Sequence, residues 1–328
     1  MVAFGLDFMG NRVLVTGGAG FIGSNLVDAL ISAGHSVCVA DNFSTGFHEF
    51  IEHHKDSAAI EIVETDLVDE NACTQVLAGC DVVYHLAANA DVRFGWQQPL
   101  RDTQQNLVVT QNLLEACRKQ GVRKFVFSST GSVYGKAKQI PTPEDCAFPT
   151  QTSLYAASKL AAEGLINAYA EADVIDATIF RFVSILGRRY THGHVFDFVK
   201  QLLDNPQRLK VLGDGNQTKS YLHVDDCVAG LTHVLNGKSK LDIFNLGTNE
   251  TVTVKQSIEI ICNTLNCDPV IDYSGGTEGW IGDNPYIFLD TSAARATGWS
   301  STWTISESIR ETVEWLVAND WVFNLRDS

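Results

Sequence analysis

The segment Gly17-Gly18-Ala19-Gly20-Phe21-Ile22-Gly23 constrains this chain more than any other feature. It follows the apolar run Val13-Leu14-Val15 and opens the stretch Phe21 to Ala33, which ends at Gly34. That order reads as strand, tight turn, helix. In Gly18-x-Gly20-x-x-Gly23 the glycines provide the turn, close backbone approach to a phosphate, and close packing of helix on strand. The helix N-terminal amides then face a pyrophosphate. Gly17, Gly20, Phe21, Ile22 and Gly23 are the expected contacts. A second apolar run, Val37 to Ala40, ends at Asp41, 18 residues beyond Gly23. A carboxylate there accepts hydrogen bonds from both hydroxyls of an adenosine ribose and repels a 2′-phosphate. No arginine or lysine lies between Val37 and Glu52. The expected cofactor is therefore NAD rather than NADP. The competing reading is a structural β-α-β unit with a surface aspartate.

The chain has 328 residues, enough for two lobes around one cleft. A hydrophobic content of 45% supplies a large core. Met1 to Gly10 lacks the basic and apolar regions of a signal peptide, and no apolar run is long enough to span a bilayer. The 8 cysteines are scattered with no C-x-x-C pair, the pattern of reduced thiols, so a cytoplasmic protein is expected. A net charge of −15 argues against a nucleic-acid or anionic-membrane surface. A nucleotide-sized anion must then be met by a few local cations and backbone amides. His192-Gly193-His194 has no accompanying carboxylate cluster, and no metal is expected.

Strand-like runs recur at Ile60 to Thr65, Val82 to Leu86, Phe125 to Ser129 and Thr178 to Phe182, with helical stretches between them, including Gln104 to Gln120 and Ser153 to Ala170. This alternation predicts an α/β fold, a Rossmann-type doubly wound parallel sheet with ligands at the carboxyl ends of its strands. Residues 1–183 read as the dinucleotide-binding domain, with 222–248 returning to it through a helix and a strand. Residues 184–328 read as a smaller mixed α/β lobe for substrate. Asp66 closes the third strand, where it can meet an adenine. His85-Leu86-Ala87-Ala88 closes the fourth as a small-residue passage for the cofactor backbone. His85 itself reads as a packed structural residue.

Tyr155-Ala156-Ala157-Ser158-Lys159 supplies a phenol with a cation one helical turn away. A free phenol has a pKa of about 10. A nearby ammonium and a positive nicotinamide favour phenolate, which makes Tyr155 the candidate general base. The same spacing recurs at Tyr134 and Lys138, but Gly135 and Pro141 argue against a helix there. That pair serves as an internal control. Ser128-Ser129-Thr130 ends the strand begun at Phe125. One of the three hydroxyls is expected to bond the substrate oxygen and the other two to act as turn caps.

These segments together resemble the extended short-chain dehydrogenases/reductases, specifically the nucleotide-sugar epimerase and dehydratase branch, and within it the UDP-glucose (UDP-galactose) 4-epimerases. Matching segments run from Thr16 to Gly23 through Asp41-Asn42, Asp66-Leu67, His85 to Ala88, Asn106 and Thr110 to Leu114, Ser128 to Gly135, Tyr155 to Lys159, Arg181 to Gly187, Gly213 to Asp226 and Gly282-Asp283. The resemblance implies Thr130, Tyr155 and Lys159 as the catalytic set. It extends the cofactor contacts to Asn42, Asp66, Leu67, Leu86, Ala87, Ala88, Asn106, Ser128 and Phe182, with Tyr155 and Lys159. It implies a nucleotide-sugar substrate, most simply a UDP-hexose, held by Thr130, Ser184, Val195, Lys219, Trp280, Asp283 and Ile287.

The departures are informative. Related 4,6-dehydratases carry Asp-Glu after the catalytic hydroxyl, and decarboxylases a glutamate two residues on. Here Gly131-Ser132 follows. Ser184 replaces an asparagine and Leu154 a proline. Lys219 replaces an arginine and is a less bidentate phosphate ligand. A second diphosphate arginine falls at Trp280, leaving Arg188 or Arg189 to compensate. Ile287 stands where some strict UDP-glucose enzymes have tyrosine. The implied activity is NAD-dependent epimerisation at C4 through a 4-keto intermediate, N-acetylated sugars included. The alternatives are a dehydrogenase, reductase or dehydratase of the same family, or a non-catalytic NAD-binding regulatory protein. The stretches Gln104 to Gln120 and Ser153 to Ala170 carry more apolar surface than one core stripe needs. In resembling enzymes the equivalent helices form an intersubunit bundle, so a homodimer is expected.

Overall fold

The computed structural model describes residues 10–89, 97–147, 150–233, 239–276 and 286–324. Its first half alternates as the sequence predicts: β1 (Arg12–Thr16), α1 (Phe21–Ser32), β2 (Ser36–Asp41), β3 (Ile60–Glu64), α2 (Glu70–Val76) and β4 (Val82–His85). Then come α3 (Pro99–Asp102), a π-helical stretch (Thr103–Val108), α4 (Val109–Gln120), β5 (Lys124–Thr130), α5 (Leu154–Glu171) and β6 (Asp176–Phe182). Continuing are β7 (Ser184–Leu186), α6 (His194–Asp204), β8 (Arg208–Val211), β9 (Thr218–Lys219), β10 (Tyr221–His223), α7 (Val224–His233) and β11 (Leu241–Leu246). Closing the chain are β12 (Val252–Thr253), α8 (Val254–Leu265), β13 (Val270–Tyr273), β14 (Tyr286–Ile287), α9 (Ser292–Ala296) and α10 (Ile305–Ala318).

Seven strands form one parallel sheet in the order β11-β6-β5-β4-β1-β2-β3. Its central strands are continuous apolar runs because both faces are covered. Side chains of β1 alternate accordingly: Val13 and Val15 enter one core with Leu26 and Leu30 of α1, while Leu14 enters the other with Leu113 and Ile166. β1 pairs with both β2 and β4, so the strand order reverses there. A ligand crevice opens at such a switch point. Three smaller sheets follow: β7 with β10, β9 between β12 and β14, and β8 with β13. No described helix is long and apolar enough to cross a membrane.

One expected element differs. Helical structure begins at Pro99 rather than Gln104 and widens to a π-helical stretch before α4. Asn106 lies in that stretch, wholly buried. It accepts from Asn89 N at 2.9 Å and donates to Ser158 Oγ at 2.9 Å. Such bulges recur at functional sites.

Candidate active site

A cavity of about 560 Å³ opens at the carboxyl ends of the main sheet and continues toward β9, β10 and β14. Its floor is the glycine turn. Gly17 has φ +67°, and a β-carbon there would stand 2.8 Å from the Ala87 nitrogen. A β-carbon at Gly23 would stand 2.0 Å from the Gly17 oxygen. Only glycine fits either position. Gly20 caps α1 without a side chain, and no acidic residue occupies the first turn. The amides of that turn therefore have no internal acceptor and border the cavity. At the end of β2, the Asp41 carboxylate accepts from Ala19 N at 3.0 Å and Phe43 N at 2.9 Å. Burial pushes its pKa up, and these two bonds pull against that rise. A helix N-terminus, an open glycine floor and a held carboxylate fit a dinucleotide.

The reactive groups stand opposite. Ser153 caps α5 by accepting from Ala156 N at 3.1 Å, which sets Tyr155 in the first turn. The Tyr155 hydroxyl bonds to the side chain of Thr130 at the end of β5. Burial pushes the phenol up to about 12, while the Thr130 bond acts in the opposite sense and Asp102 adds to the rise. Lys159 shares the Tyr155 face of α5, but its ammonium does not bond the phenol. Nζ donates to the Ser128 carbonyl at 2.8 Å and lies 4.6 Å from the centre of the Phe127 ring. Burial lowers Lys159 to about 7, opposed by the charge of Glu163. Of the three hydroxyls of β5, neither serine caps the turn that follows. Ser128 Oγ donates to the His85 carbonyl at 3.2 Å and Ser129 Oγ to Glu163. Thr130 Oγ1 both bonds Tyr155 and accepts from Ser132 N at 3.1 Å.

Comparison with known proteins gives the family. The model of the NAD dependent epimerase/dehydratase family matches residues 13–247. The chain belongs to that family. It is accordingly an enzyme fold whose cofactor is NAD. A protein named putative UDP-glucose 4-epimerase from Methanocaldococcus jannaschii is 32% identical over 94% of this chain and 99% of its own. UDP-glucuronic acid decarboxylase 2 of Arabidopsis thaliana is 33% identical over 91% of this chain and 66% of its own. The crystal structure of UDP-glucuronic acid 4-epimerase from Bacillus cereus, with UDP-glucuronic acid and NAD, superposes with a TM-score of 0.86. It is 28% identical and covers 94% of this chain and 99% of its own.

Most residues expected from the family resemblance do line the cavity: Asn42, Leu67, Leu86, Ala87, Ala88, Ser128 and Phe182 on one side, Ser184, Lys219 and Ile287 on the other. Others are placed behind its wall. Asp66 takes Asn42 Nδ2 at 3.4 Å and Val68 N at 3.0 Å, so it supports a lining residue from outside. Asn106 and Lys159 are turned into the core, and Val195 is fully buried in α6. Trp280 and Asp283 lie outside the described residues. Neither arginine expected to compensate for Trp280 faces the cavity. Arg188 pairs with Asp225 at 2.6 Å and Arg189 with Asp28 at 2.8 Å, so both fasten the loop 187–193 to neighbouring helices. His85 is wholly buried between Thr16 Oγ1 at 2.8 Å and Thr110 Oγ1 at 3.0 Å, a structural tie.

Sequence reasoning missed Gln217, Tyr221 and His194, which also line the cavity. The His194 ring meets Ser257 Oγ at 2.7 Å and Tyr221 Oη at 3.3 Å. Burial, with Lys219 nearby, lowers its pKa to about 3, so it is a neutral ring. The only sequence signal was its place beside Gly193, which reads equally well as a loop.

Proposed function

We propose that the protein epimerises C4 of a nucleotide-linked hexose, most simply a UDP-hexose. The observation that carries this reading is the crowding at Gly131. A β-carbon there would stand 3.2 Å from the Phe182 carbonyl oxygen, 3.3 Å from Leu289 Cδ1 and 3.5 Å from Ile287 Cγ2. The acidic side chain that resembling dehydratases carry after the catalytic hydroxyl is absent, and its space is taken. Ser132 stands where decarboxylases carry glutamate. With no carboxylate at either position, the proton transfer at the sugar falls to Tyr155.

In this reading the Tyr155 oxygen takes the C4 hydroxyl proton while Thr130, bonded to it, polarises the same oxygen pair. The buried Lys159 ammonium favours the phenolate through the helix they share. Bound NAD supplies the acceptor, then the donor, of the hydride. Asp41 and the amides of Phe21 to Gly23 would hold it, with Leu86 to Ala88 along its backbone. The 4-keto sugar turns about its diphosphate and is protonated by Tyr155 after reduction on its other face. Lys219, beside the cavity, meets the diphosphate charge, and Ser184 and Ile287 border the sugar.

The free state of all 8 cysteines supports a cytoplasmic setting. Leu100 and Val108, 71% and 36% exposed on the helix that precedes α4, support a homodimer, which light scattering at micromolar concentration tests.

The activity is tested by incubating the protein with a panel of UDP-sugars and following products by mass spectrometry and proton NMR. Interconversion at C4 with unchanged mass and no net consumption of added NAD is expected. Loss of carbon dioxide or water, or stoichiometric consumption of NAD, overturns the reading.

A further inference from the structure

Lys159 is 1% exposed, and among the described residues no carboxylate pairs with it directly. The acidic group acting on it is Glu163, one turn further along α5 and 2% exposed. Two adjacent residues of β5 hold the two charges: Ser128 offers its carbonyl to Lys159, and Ser129 its hydroxyl to Glu163. Glu163 is in turn clasped by Arg181, with Nε at 3.1 Å and Nη2 at 2.7 Å. Arg181 Nη1 reaches Tyr134 Oη at 2.8 Å and the Glu144 carbonyl at 3.0 Å. Burial works to lower the guanidinium, but the pair with Glu163 and the Tyr134 bond outweigh it and hold Arg181 above its ordinary pKa. Glu163 is thus held in one geometry by Ser129 and Arg181.

The groups facing Lys159 come from every element packed around it. His85 of β4 is neutral, its pKa lowered by burial and by Lys159. Tyr155 precedes Lys159 on α5, and Asp102 of α3 acts on Tyr155. Arg181 of β6 stands beyond Glu163 and is not among the groups that shift Lys159. The Ser128 carbonyl, the Phe127 ring and the charge of Glu163 oppose the cost of burying the ammonium, and Glu163 is the ionisable group among the three.

We propose that Glu163 is a positioning residue for the epimerisation proposed above: held by Ser129 and Arg181, it keeps the buried Lys159 ammonium charged and so sets the alkaline edge of activity. Without its charge the ammonium loses its proton at lower pH, and the Tyr155 phenolate loses the cation that favours it. The competing account is that Glu163 only neutralises Arg181, since a buried pair broken on one side is strongly destabilising.

Two variants separate the accounts: Glu163→Gln, and Glu163→Gln combined with Arg181→Met, which removes both charges. Melting temperature, the pH profile of kcat/KM, and the titration of Lys159 by side-chain 15N NMR are measured for each. The single variant is expected to lose melting temperature and the double variant to recover part of it. In both, the alkaline limb and the Lys159 midpoint move down by about one pH unit, a roughly fivefold loss of the charged form at the old midpoint. A double variant with the wild-type Lys159 midpoint overturns the proposal and leaves Glu163 as a partner of Arg181 only. The NMR titration does not depend on which sugar is turned over, so absence of epimerase activity would count against the function alone.

Discussion

The Tyr134 hydroxyl donates to Asn245 Oδ1 at 2.8 Å while accepting from Arg181 Nη1 at the same distance. This joins the short 3₁₀ turn after β5 to β11, at the edge of the main sheet. The second Tyr-x-x-x-Lys of the chain is therefore a tie inside the core. Burial pushes the Tyr134 phenol up to about 12, so it stays protonated and donates at every physiological pH.

Two phenylalanine variants should separate by what they damage. Tyr155→Phe is expected to lose about 10²–10⁴-fold in rate with an intact fold and cofactor, the usual value of general-base help. Tyr134→Phe leaves Asn245 Oδ1 without its phenol donor, and is expected to keep its rate but lose roughly 1–3 kcal/mol of stability. Steady-state rates and thermal melts of both proteins check this. Near-normal turnover by Tyr155→Phe would remove the mechanism.

The cofactor itself can be read directly. Asp41 is buried, held by two backbone amides, and faces the cavity. Protein purified without added nucleotide and then denatured should release NAD, identified by mass spectrometry. Release of mainly NADP would contradict the role given to that carboxylate.

Acid should destabilise the protein before its carboxylates titrate. His194 and His85 are both buried as neutral rings, His194 with a pKa of about 3 and His85 well below its ordinary value. The unfolded chain takes up these protons near pH 6.5, whereas the folded chain does not. Between those limits the unfolded state binds more protons, so stability rises with pH and is lost as pH falls from about 6.5. Melting temperature should already decline between pH 6.5 and 5. His194→Gln, which keeps a polar partner for Ser257, should flatten part of that slope. A melting temperature constant over this interval would refute the argument.

Much of this site was legible because its chemistry lies in short, ordered segments. Gly17, Gly20, Gly23, Asp41 and Tyr155 all line one cavity, because elements of regular structure translate their spacing directly into position. The tertiary partners were not legible. Nothing in the spacing of Tyr155 and Lys159 says that the ammonium turns to the Ser128 carbonyl, because that depends on how β5 packs under α5. The arginines 188 and 189 looked available for a phosphate, yet Asp225 and Asp28, far off in sequence, already hold them. The π-helical stretch 103–108 escaped notice because the bonds of its inward Asn106 side chain run to residues on two other segments, which spacing does not reveal.

The diphosphate contact can be tested on the same ground. Lys219 lines the cavity, and Arg189, paired with Asp28, does not. Hydrogen bonds to charged groups contribute about 1.5–3 kcal/mol. Lys219→Gln should therefore raise KM for UDP-sugars by roughly tenfold or more with a smaller effect on kcat. An unchanged KM would move the diphosphate site elsewhere.

Ile287 bears on substrate breadth. It lines the cavity from β14, in register with Lys219 of β9, and its Cγ2 lies close to Gly131, which follows Thr130. It carries no hydroxyl and is smaller than tyrosine, so in the proposed reading an N-acetyl group at C2 meets less bulk here than it would against tyrosine. Adding bulk to a packed site typically costs about 1–3 kcal/mol, a factor of about five to over a hundred in rate. Ile287→Tyr should therefore depress turnover of UDP-N-acetylglucosamine far more than that of UDP-glucose, measured as kcat/KM for each sugar. If both fall equally, or the unaltered protein does not turn over the acetylated sugar, Ile287 is packing against its neighbours and breadth is decided at another wall.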